Sequence, residues 1–198
     1  LGDGTGVGKG RQIGAIILDN FRRGREKAMW VSESGRLIAD AKRDWVDIGG
    51  DKNQVFELGK TKLGEKIDSP KGIMFTTYST IRSGLMTDKT GKVIVKPDKK
   101  TNQPKQSRVN QIIEWLGKDF DGVIVFDESH NMQKSTQVKG GRGMTTASIQ
   151  ALASRDLRQQ LPKARIVYAS ATGASAVEAL GYAERLGLWG PGTAFPDM

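Results

Sequence analysis

Gly2-Asp3-Gly4-Thr5-Gly6-Val7-Gly8-Lys9-Gly10-Arg11-Gln12 places five glycines around one lysine, directly ahead of Ile13, Ile16, Ile17 and Phe21, which fall on one helical face. Glycines let backbone N–H groups turn inward and approach a polyphosphate closely. A lysine closing such a loop reaches the outer phosphates, and the following helix adds the positive end of its dipole. The stretch therefore reads as a phosphate-binding loop entering a helix. It departs from the usual G-x-x-x-x-G-K-[ST] pattern in two places. Aligned on Gly8-Lys9, the first glycine is Asp3, and Gly10 replaces the Ser/Thr whose hydroxyl ordinarily meets Mg2+. A dinucleotide loop fits less well, because the third glycine of G-x-G-x-x-G falls on Val7, Lys9, Arg11 or Ile13 in the four frames.

Bulk properties narrow the class. At 198 residues the chain is long enough for one α/β domain with a substantial core. It has no cysteine and a single histidine, His130, which argues against a disulfide framework and against thiolate or histidine zinc sites. No apolar run reaches membrane-spanning length and no signal peptide is evident, so a cytoplasmic setting, or a nuclear one in a eukaryote, is expected. The net charge of +9 favours a polyanionic partner. The chain begins at Leu1, directly ahead of the loop. A loop of this kind follows a buried strand, so the sequence predicts a fragment of a longer protein that lacks the first strand of its sheet.

Hydrophobic periodicity supplies the remaining elements. A helix over Ile13–Phe21 stops near Gly24, and Ala28–Val31 reads as a buried strand. Leu37, Ile38, Ala41, Trp45 and Ile48 form a second helical stripe. Further strands are expected at Gln54–Leu58, Gly72–Thr77, Val123–Phe126 and Arg165–Ala169, and further helices around Ile112–Leu116, over Ala147–Leu161 and over Ala174–Leu186. This alternation predicts a mainly parallel sheet with helices on both faces. Met86–Ser107 stands apart, with six lysines against two aspartates and one apolar triplet, Val93-Ile94-Val95. It reads as a basic insertion, with a small hairpin around the triplet, that either contacts a polyanion or is simply solvated.

A parallel strand delivers its C-terminal residues to the ligand edge of the sheet. Val123–Phe126 delivers Asp127-Glu128-Ser129-His130 there. Of two adjacent carboxylates beside a phosphate loop, Asp127 can hold Mg2+, usually through water, and Glu128 can position and deprotonate an attacking water. The strand Ile166–Ala169 leads into Ser170-Ala171-Thr172-Gly173. The hydroxyls of Ser170 and Thr172 can link to the acidic box, His130 in particular, or cap the next helix.

Together these motifs resemble motifs I, II and III of superfamily 2 helicases, and more closely the helicase-like NTPase domain of the Strawberry notch family. The resemblance runs through nearly the whole chain: Gly2–Gln12, Trp30–Ser34, Phe75–Ser79, Val125–Asn131, Tyr168–Gly173 and Glu184–Gly190. Gly-Lys-Gly is itself a spelling of that family. The resemblance implies an α/β P-loop NTPase fold of RecA-like type over 1–198, with ATP and Mg2+ as ligands. Gly4, Thr5, Gly6, Val7, Gly8, Lys9, Gly10, Arg11 and Gln12 would surround the phosphates, with Lys9, Asp127 and Glu128 as the catalytic set and Asp127 on the metal. His130, Ser170 and Thr172 would couple hydrolysis to movement. Ser32, Ser34, Arg36, Thr77 and Ser79 would contact a nucleic-acid backbone, DNA ahead of RNA, or serve as ordinary strand-to-helix loop residues. A second RecA-like lobe would carry the arginine finger, an effect worth about 10³–10⁵ in rate. One lobe alone is therefore expected to bind nucleotide with little hydrolysis and no unwinding. The competing expectations are a nucleic-acid-binding module with a vestigial nucleotide site and a purely structural partner domain.

Overall fold

The computed structural model describes residues 8–88, 93–97, 106–129, 146–170 and 185–186. Its centre is a five-stranded sheet in the order β2-β3-β1-β6-β7, formed by β1 (Lys27–Ser32), β2 (Val55–Glu57), β3 (Gly72–Thr77), β6 (Val123–Phe126) and β7 (Arg165–Tyr168). Every pairing in it is parallel. The short antiparallel hairpin of β4 (Leu85–Thr87) and β5 (Val93–Val95) sits apart, with Leu85 opposite Val95 and Thr87 opposite Val93. The apolar triplet of the basic segment thus forms one arm of a hairpin.

Alternation along the buried strands divides the core into two layers. Ala28 and Trp30 of β1, Ile73 and Phe75 of β3, and Val123 and Val125 of β6 face α1 (Lys9–Arg22) and α2 (Ile38–Asp47). Met29, Val31, Met74, Ile124 and Phe126 face α3 (Tyr78–Ile81), α4 (Arg108–Leu116) and α5 (Thr146–Gln160). Helices therefore cover both faces, which is why the central strands read as continuous apolar runs.

The expected elements appear with adjusted ends. The strand expected at Gln54–Leu58 shortens to Val55–Glu57, because Gln54 closes a capped 3-10 turn and Leu58 opens another. The one-turn helix α3 has no apolar periodicity of its own and is set by its cap: the Thr77 hydroxyl accepts from the Thr80 N–H at 3.1 Å. The expected helix over Ala174–Leu186 lies outside the described residues apart from its last two positions.

Trp45 locks α2 to both α1 and the sheet. Its ring is fully buried, meets Phe21 edge-on at 5.6 Å, and donates from Nε1 to the Asp51 carbonyl and the Gln54 side chain, both at 3.1 Å. Trp45→Ala is expected to cost about 3–5 kcal/mol. Val46→Ala, at a neighbouring exposed position, is expected to stay within about 0.5 kcal/mol. Urea denaturation of the two variants checks the contrast.

Candidate functional site

Because all five strands run the same way, their C-terminal ends share one edge. β1 ends at Ser32, opposite Thr77 of β3, and Val31 pairs with Phe126 of β6. The next residue, Asp127, donates its N–H to the Val31 carbonyl at 2.8 Å, so the chain stays in register as it leaves the sheet. Tyr78 adds a hydrogen bond from its hydroxyl to the Asp127 carbonyl, also at 2.8 Å. On the other side the Ser129 N–H reaches the Ala169 carbonyl at 2.9 Å. The acidic box is thus tied to β1, α3 and the end of β7.

The phosphate loop meets this edge through α1. Gly8 precedes the helix in the left-handed region, at φ 80°, where a side chain would be strained. The first i to i−4 bond of α1 runs from the Gln12 N–H to the Gly8 carbonyl, so the amides of Lys9, Gly10 and Arg11 precede the helical ladder. No acidic side chain occupies that first turn. The amides at the helix start can donate to an anion, with the Asp44 carboxylate of α2 as a close acidic neighbour.

Lys9 crosses from this turn to the acidic box. Its Nζ donates to Glu128 Oε1 at 3.2 Å, joining residues 119 apart in sequence. Both side chains are largely shielded, with 13% and 25% exposure. Glu128 itself sits in the left-handed region, at φ 48°, the one such non-glycine among the described residues. Its N–H turns back onto Asp127 Oδ1 at 3.0 Å. A strained, half-buried carboxylate at a strand end fits a functional position.

Asp127 is held above the ordinary aspartate range, first by burial and then by the neighbouring charge of Glu128. The Glu128 N–H, Lys9 and the indole of Trp30 pull the other way without prevailing. The Trp30 Nε1 nonetheless has no hydrogen-bond partner among the described residues, so its influence is that of a nearby dipole. A cavity of about 190 Å3 opens here, bounded by Lys9, Gly10, Asp127 and Glu128 on one side and by Trp30, Ser32 and α2 on the other. Two larger clefts lie elsewhere. One of about 590 Å3 runs between the β4–β5 hairpin and α5, and one of about 510 Å3 lies at the opposite edge of the sheet. Neither contains the lysine or the acidic box.

The other expected site residues distribute unevenly. Arg11 turns to Asp47 of α2, at 2.7 Å, and not to the acidic box. Ser32 is fully buried in the cavity wall, and its hydroxyl has no partner among the described residues. Ser34 accepts from the Arg36 N–H at 3.3 Å and caps a short turn that leaves Arg36 exposed. The Thr77 hydroxyl is engaged with Ser79 and Thr80 at 2.8 and 2.9 Å, while Ser79 itself is exposed. Ser170 is buried where the chain leaves β7. Gly4, Thr5, Gly6, Val7, His130 and Thr172 lie outside the described residues. Sequence reading missed Asp40 and Asp44, which bring two further carboxylates to the cavity from α2. Their spacing, i and i+4 on one helix face, was the available signal.

The description "P-loop containing NTP hydrolase pore-1" belongs to the family whose model matches residues 1–198 of the chain. The chain belongs to that family. Curated relatives align over the whole chain. They include Protein strawberry notch of Drosophila melanogaster at 45% identity, Protein strawberry notch homolog 1 of Homo sapiens at 41%, and Protein FORGETTER 1 of Arabidopsis thaliana at 36%. The domain is thus a P-loop NTPase domain of the Strawberry notch kind. It spans only 11%, 13% and 14% of the length of those three relatives. Among the described residues, no helix is long and apolar enough to cross a membrane.

The raised pKa of Asp127 has a consequence for stability. A carboxylate whose folded pKa lies above its unfolded value favours folding when protonated and opposes it when ionised. Asp127→Asn is therefore expected to stabilise the fold at pH 7.5. The gain should vanish as pH falls below the unfolded aspartate value, near 3.9. Denaturant midpoints of parent and variant at pH 7.5 and pH 3.5 check the direction.

Proposed function

We propose that this P-loop NTPase domain is the nucleotide-binding motor lobe of an ATP-driven DNA helicase or translocase. The observation that carries the reading is the Lys9–Glu128 contact at 3.2 Å beside Asp127, at the C-terminal edge of a parallel sheet. It joins a phosphate-binding cation, a candidate base and a candidate metal ligand in one cleft. An incoming triphosphate supplies a stronger, multiply charged partner for Lys9 than one carboxylate does. Lys9 then transfers from Glu128 to phosphate oxygen, and the amides at the start of α1 donate to the same group. Glu128, released from Lys9, is free to orient a water and accept its proton.

The donor set also fits Mg2+. Asp127 and its neighbours offer oxygen only, and the Ser32 hydroxyl in the wall is buried without a partner among the described residues. Among the described residues no three metal-binding side chains converge tightly enough to hold an ion alone. That suits a metal bound by one or two carboxylates plus phosphate oxygens and water. Bound there, Mg2+ would neutralise charge on the phosphates.

The nucleic-acid part of the reading rests on the net charge of +9 and on placement. Exposed Arg36 and Ser79 follow β1 and β3 at the same sheet edge, with Ser34 beside them, where they suit sequence-independent phosphate contacts. DNA is favoured over RNA, and a second RecA-like lobe would supply the arginine for hydrolysis. In a eukaryotic cell such a motor would work in the nucleus, and in a bacterium or phage-infected cell in the cytoplasm. Gly10 favours a second reading, a nucleic-acid-binding module with a vestigial nucleotide site, because glycine brings no hydroxyl to the metal.

Fluorescent mant-ATP titration separates the two. The parent chain is expected to bind in the presence of Mg2+, and Lys9→Ala is expected to weaken binding by at least tenfold, consistent with loss of a charge-assisted contact of about 1.5–3 kcal/mol. Equal binding by parent and Lys9→Ala would remove the motor reading.

A further inference from the structure

Gly10 occupies the position at which a phosphate-binding loop ordinarily carries Ser or Thr. In the fold it lies directly against Asp44 of α2. A Cβ on Gly10 would collide with the Asp44 carboxylate, coming within 2.8 Å of its Cγ and 3.2 Å of its Cβ. Glycine at 10 thus leaves the Asp44 carboxylate its present place, which a side chain at 10 would require it to give up. The volume that a hydroxyl side chain would fill in the first turn of α1 is taken by a carboxylate oxygen delivered from the neighbouring helix.

That carboxylate is placed to act as well as to fill space. Asp44 lines the same cavity as Lys9, Asp127 and Glu128, and its side chain keeps 19% exposure. Its Oδ1 stands 3.7 Å from the Arg43 guanidinium, too far for a hydrogen bond, and its Oδ2 faces Gly10. Asp40 also lines the cavity, with its carboxylate paired to Arg43 at 2.8 Å, so Asp44, Asp127 and Glu128 bring three further carboxylates to it against the ammonium of Lys9. The wall supplies an independent sign that a ligand belongs there: the Ser32 hydroxyl, in a fully buried residue, has no partner among the described residues. Leaving a buried hydroxyl unpaired is costly, a cost that a polar occupant such as a water on a bound cation would recover. Several carboxylates and a buried hydroxyl gathered around a small cavity suit a hydrated divalent cation.

We propose that Asp44 replaces the missing P-loop hydroxyl: it accepts hydrogen bonds from the waters of the Mg2+ held beside Asp127 and so anchors that ion to the start of α1. The assignment rests on the nucleotide reading above. It makes Gly10 a coadapted residue and removes the main argument for a vestigial site. It also explains why the metal set was invisible from the loop alone, since its second carboxylate comes from a different helix.

The test is the gain in mant-ATP affinity that Mg2+ confers over EDTA, measured for the parent chain and variants whose circular dichroism matches it. Asp44→Asn is expected to shrink that gain by about tenfold, the lower end for loss of an outer metal partner. Asp47→Asn removes the same charge from the same helix at its contact with Arg11, and is expected to leave the gain unchanged. Gly10→Ser combined with Asp44→Ala returns a hydroxyl to the loop and clears room for it, and is expected to recover most of the gain. The electron paramagnetic resonance spectrum of Mn2+ bound with ATP should follow the same order. A parent chain that binds no nucleotide removes the nucleotide reading and this assignment with it. Nucleotide binding with a Mg2+ gain that Asp44→Asn and Asp47→Asn leave alike would overturn this assignment alone.

Discussion

β1 runs through the middle of the sheet, paired in parallel with β3 on one side and β6 on the other, and the acidic box hangs from that pairing. Parallel register forces the ends of β1, β3 and β6 onto one edge. The continued bond from the Asp127 N–H to the Val31 carbonyl then carries the order of the sheet one residue into the acidic box. The strands are buried on both faces, so a register slip would have to disrupt both core layers. The chemistry is thereby placed on the most constrained part of the fold, as a preorganised site requires.

The helices on the α1 side add a second constraint. α1 and α2 pack side by side over the same sheet face, with Ile13 and Ile17 of one and Ala41 and Trp45 of the other in a single apolar cluster. That packing brings the acidic face of α2 up to the first turn of α1. Glycine at position 10 leaves the Asp44 carboxylate its present place, and a larger residue there would require that side chain to swing aside. The departure from the usual loop spelling thus meets a side chain that lies 34 residues away in the chain.

Much of this was legible in the sequence where the signal is local. Val123–Phe126 is a short apolar run ending in two carboxylates, and both its strand and the placement of Asp127 follow from that pattern. Ile13 and Ile17 marked α1 by spacing alone. What escaped was set by distant parts of the chain. Asp40 and Asp44 sit on the polar face of a helix whose apolar stripe was read correctly, and an outward-looking aspartate ordinarily means solvent. Only the approach of α1 turns that face toward a site. Thr77 and Ser79 were readable as phosphate-contacting hydroxyls or as ordinary loop residues. The fold engages the Thr77 hydroxyl in the cap of α3, a one-turn helix too short to announce itself by periodicity.

The account turns on Lys9 changing partners. On the proposed reading, the Lys9–Glu128 contact gives way when a triphosphate binds, and its loss would let Glu128 act as a base. The most direct measurement is the structure of the chain with a non-hydrolysable ATP analogue and Mg2+. The account predicts Lys9 Nζ on phosphate oxygen, the 3.2 Å contact to Glu128 broken, and the phosphates against the first turn of α1. An analogue bound elsewhere, with the Lys9–Glu128 pair intact, would contradict it.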